Sequence, residues 1–164
     1  MTTREAFTDE EWSLLMRVPA LAGLAVAGSA RGGTMRELLV LMKEIARGEG
    51  RFPDDQLIQA IATDEGTEWG SDGAANMRSE HRSFEEIEGE VLSACRDAAA
   101  VLARKATADE AEHYRALVVG VAQRVAEAAK EGDVLGIGGT RVSEGERRTI
   151  EAVEEALRAP GSAT

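Results

Sequence analysis

Apolar residues recur at helical spacing along most of the chain. Met35, Leu38, Leu39, Met42, Ile45 and Ala46 share one face, and Phe84, Ile87, Val91, Ala94, Cys95, Ala98, Val101 and Leu102 share another. Ala111, Tyr114, Leu117, Val118, Val121, Val125 and Ala128 form a third stripe, and Ile150, Val153 and Leu157 a fourth. A Ser/Thr-x-x-Glu pattern, in which the hydroxyl accepts from an orphan amide while the Glu reaches back, recurs just before such periods. Its copies are Thr8 with Glu11, Thr34 with Glu37, Ser83 with Glu86, Thr107 with Glu110 and Ser143 with Glu146. Two shorter helices are expected besides these five, one opened by Pro19 and one near Pro53 carrying Leu57, Ile58 and Ile61. No run alternates with period two over strand length, so the pattern predicts an all-α bundle of about seven helices.

Phe7 before the first cap and Trp12 after it have the spacing of a hydrophobic staple, which docks the N-terminal segment. Gly48 and Gly50 close the third helix and Gly132 the sixth. The span 7–158 reads as one helical domain, followed by a flexible tail at 159–164. Residues 63–82 are rich in Gly, Ser, Asp and Glu and too long for an ordinary bundle connection. The loop reads either as a disordered linker or as a binding segment, and in the second case Trp69 is the candidate anchor for a partner, because a large aromatic there must dock on the helices or stay available. Gly32-Gly33-Thr34 and Gly138-Gly139-Thr140 each precede a capped helix and hint at two related halves.

Composition narrows the partners. The 164 residues carry a formal net charge of -11, which repels phosphate backbones and anionic lipid, so neither nucleic acid nor a membrane surface is expected. The apolar run Val18 to Ala27 is about half the length that crosses a bilayer. It mimics a signal-peptide core, but the segment before it is acidic, and an apolar helix more often marks the centre of a bundle. A cytoplasmic location is therefore expected, and the single Cys95 asks for no oxidising compartment.

Candidate chemistry is sparse. Glu110 and His113 form Glu-x-x-His on a helix, half of the set used by di-iron bundles, and are the candidate metal ligands. No second copy is present, and Glu110 is already explained by capping. The glycines at 136, 138 and 139 lack the spacing of a dinucleotide or phosphate loop. The acidic runs Asp64, Glu65, Glu68 and Glu85, Glu86, Glu88, Glu90 lack EF-hand spacing and read as solvated faces. Two histidines and one cysteine supply no activated nucleophile, so no catalytic residue and no cofactor are assigned.

The chain resembles the tellurite-resistance TerB-like helical fold. The resemblance rests on Phe7-Thr8-x-x-Glu11-Trp12, on Pro19 with the apolar Ala20 to Ala27, on Val125-Ala126-Glu127-Ala128 leading into Leu135-Gly136-Ile137-Gly138-Gly139, and on Val142-Ser143-x-x-Glu146. It covers most of residues 7–158 and fails across the central loop. Where such relatives commonly place an acidic residue after the second helix, this chain reads Gly28-Ser29-Ala30-Arg31-Gly32-Gly33, which weakens any carried-over metal site. The resemblance implies a compact all-helical fold in a stress-response setting and no catalytic residues. The expected function is a non-enzymatic module acting through an unidentified protein partner, with a metal-binding bundle as the alternative; a homo-oligomer stays open.

Overall fold

The computed structural model describes residues 2–29, 51–63, 84–131 and 143–158. These residues are helical almost throughout, and among them there is no strand. A short 3-10 turn, Arg4–Ala6, leads into five α-helices: α1 (Asp9–Ser29), α2 (Gln56–Thr63), α3 (Phe84–Lys105), α4 (Ala108–Glu131) and α5 (Glu144–Ala156). The all-α class is as expected, but the described helices number five rather than about seven. The helix expected from Thr34, the Gly-Gly-Thr echoes and the loop with Trp69 lie outside the described residues.

One difference has a physical cause within the described residues. Pro19 does not open a second helix; it sits buried inside α1, which runs unbroken from Asp9 to Ser29. A proline there has no N–H to donate to the carbonyl four residues back, which is that of Leu15. The Tyr114 hydroxyl fills the gap, donating to Leu15 O at 2.8 Å from a fully buried position on α4. Burial holds this phenol well above its usual pKa, with Cys95 adding to the effect, so the donor proton stays in place. The lost helical bond is replaced by a tertiary one, and α1 continues.

That continuity suits the position of α1. Leu15, Met16, Val18, Ala22, Ala25 and Val26 are all buried, spread around the helix rather than along one stripe, as expected of a central helix. α1 packs against α3, α4 and α5, and α5 also contacts both α3 and α4. The larger core cluster joins Leu15, Met16, Leu57, Ile58, Ile61, Val91, Cys95, Tyr114, Val118 and Val153. A second cluster, Ala20, Leu24, Val26, Val121, Ala122, Val125, Ala126 and Ile150, continues along α1 and α4. Alanines at these contacts let the helix axes approach closely. None of the described helices is long and apolar enough to cross a membrane.

Three of the expected capping boxes form in full. Thr8, Thr107 and Ser143 each accept from the amide three residues on, at 3.2 Å, and each returns its own amide to the Glu carboxylate at 2.7 to 2.9 Å. Thr34 and Ser83 lie outside the described residues. The staple is present: Phe7 and Trp12 are both buried, their ring centroids 5.8 Å apart. The Arg4 guanidinium lies 5.2 Å from the Trp12 ring, and Lys105 Nζ lies 5.9 Å from the Phe7 ring.

Candidate functional site

The start of α4 gathers both residues named from sequence as metal ligands. Glu110 lies in the first turn of α4, where its Oε2 accepts from the Thr107 amide at 2.9 Å. The same carboxylate reaches the N-terminal segment: the Thr2 amide donates to Oε1 at 2.6 Å and the Thr2 hydroxyl to Oε2 at 2.7 Å. Burial alone would raise the Glu110 pKa, but the hydrogen bonds from Thr107 and Thr2 more than reverse it and bring it down to about 2. Lys105 extends this junction, donating to Ala6 O at 2.9 Å and pairing with Glu11 at 2.5 Å. Glu110 thus works as a cap and as a clasp on the chain's first residues.

His113, one turn further on, turns to a different partner. Its Nδ1 lies 2.7 Å from Asp55 Oδ2, and its imidazole stacks on Phe52 with centroids 4.4 Å apart and planes 24° from parallel. Asp55 is buried and caps α2, accepting from the Ile58 amide on Oδ1 at 3.0 Å. A carboxylate only accepts, so Nδ1 carries the hydrogen, and the lone pair of the neutral ring sits on Nε2. Among the described residues Nε2 has no hydrogen-bond partner, and the His113 side chain is 39% exposed. Asp55 therefore does two things, starting α2 and fixing the orientation of an imidazole on α4.

Around this pair lies an open cleft of about 410 Å³, bordered by Phe52, Asp54, Asp55, Asp109, Glu110 and His113. Asp54 and Asp109 are exposed and make no ion pair among the described residues. Arg51 also borders the cleft, but its Nη1 is 2.7 Å from where a Cβ on Gly120 would stand. Gly120 is two turns beyond His113, about 10 Å along α4. The Arg51 guanidinium carbon also lies 5.8 Å from the Phe52 ring, so the cation stays beside the aromatic wall of the cleft.

Glu110 and His113 share this cleft, yet the Glu110 carboxylate is committed to Thr2 and Thr107, and His113 Nδ1 to Asp55. Among the described residues no three His, Cys, Asp or Glu side chains cluster in a way that would hold a metal ion. Cys95 is buried, and burial pushes its thiol up to about 12, far from a reactive thiolate. A second hollow of about 470 Å³, between α3 and α5, has Leu92, Ala152 and Ala156 in its lining. Arg158 at its edge is already paired with Glu154 and Glu155.

Sequence reasoning missed Asp55, Phe52 and Thr2. The signal for Asp55 was present, an Asp immediately before the helical Gln56-Leu57-Ile58, but Pro53 drew the helix start towards itself. Nothing local points from Thr2 to Glu110, more than a hundred residues away. Comparison of the chain with family models, curated proteins and solved structures returns no match.

Proposed function

We propose that this chain is a non-enzymatic helical module that acts through protein contacts, with the cleft between Phe52–Gln56 and the start of α4 as its contact surface. The observation that carries the reading is the Asp55–His113 pair. A buried carboxylate holds a half-exposed imidazole against an aromatic ring and leaves its second nitrogen unengaged at an open cleft. Aromatic and polar groups held rigid before binding are what interface anchors require, since little side-chain entropy is then lost on association. A cytoplasmic setting, the TerB-like resemblance and its stress-response association belong to this reading. The metal-binding alternative would require Glu110 to give up the bonds that now hold the N-terminal segment, and among the described residues no third ligand gathers beside it and His113.

The test is site-directed photo-crosslinking in the native host. A crosslinker replaces Gln56, exposed beside the cleft, and in a second strain Glu151, exposed on α5. The proposal expects a discrete adduct from position 56 and none from 151. Equal adducts from both, or none from 56, would contradict it.

A further inference from the structure

We draw no further inference here: the strongest candidate, the open hollow between α3 and α5 with Leu92, Ala152 and Ala156 in its lining, carries none, because nothing in the structure shows what covers it.

Discussion

Replacing Tyr114 by Phe removes one hydroxyl and, by the present account, strands the Leu15 carbonyl inside α1. Pro19 offers that carbonyl no N–H, and Tyr114 Oη is the donor that reaches it, at 2.8 Å. A buried backbone acceptor left unpaired costs about 1–3 kcal/mol, so Tyr114→Phe should destabilise by about that amount in urea or guanidinium unfolding. The deciding comparison is the same substitution in a Pro19→Ala background. An alanine in place of the proline restores an i to i−4 bond to Leu15, so removing the hydroxyl should then cost about 1 kcal/mol less. The two substitutions should therefore show a coupling of about 1 kcal/mol in a double-mutant cycle. The effect of Pro19→Ala alone mixes ring packing with unfolded-state entropy and carries no weight in the test. If Tyr114→Phe cost the same in both backgrounds, the hydroxyl would not be serving the proline's orphaned carbonyl.

Two further perturbations probe the site. Glu110 has a folded pKa near 2 against an ordinary 4.5, so its stabilisation is fully present above about pH 4.5 and is lost as the pH falls towards 2. Glu110→Gln should accordingly cost about 1–2 kcal/mol at pH 7, the exposed Thr107 turn allowing water to screen part of the shift, and the gap to the unmodified protein should close by pH 2; a gap constant with pH would refute the clasp. Asp55→Ala removes the cap of α2 and the acceptor of His113 together, at about 1–3 kcal/mol. Hydrogen exchange should accelerate in residues 56–63 before the rest of the bundle, and uniform acceleration would show that Asp55 acts on the whole core instead.

Much of the fold is legible in the sequence because its signals are local. A capping box is written in four residues, so Thr8–Glu11, Thr107–Glu110 and Ser143–Glu146 were readable in advance, and so was the Phe7–Trp12 staple. The apolar faces of α3, α4 and α5 follow from spacing alone. Pro19 misled for the complementary reason. Whether a proline ends a helix depends on what satisfies the abandoned carbonyl, and here the donor is 99 residues away on α4. The site was hidden in the same way. His113 and Glu110, three residues apart, suggested a shared ligand, but the partners that claim them, Asp55 at a separation of 58 and Thr2 at 108, are joined to them only by the packed fold.

The orientation of His113 is the point on which the site depends, and long-range ¹H–¹⁵N correlation of its imidazole observes it directly. The account predicts that the neutral ring is held as the Nδ1–H tautomer, with Nε2 carrying the lone pair, and that Asp55→Ala releases it to the mixed tautomers of a free imidazole. A neutral ring already in mixed tautomers in the unmodified protein, or one protonated on Nε2, would contradict it.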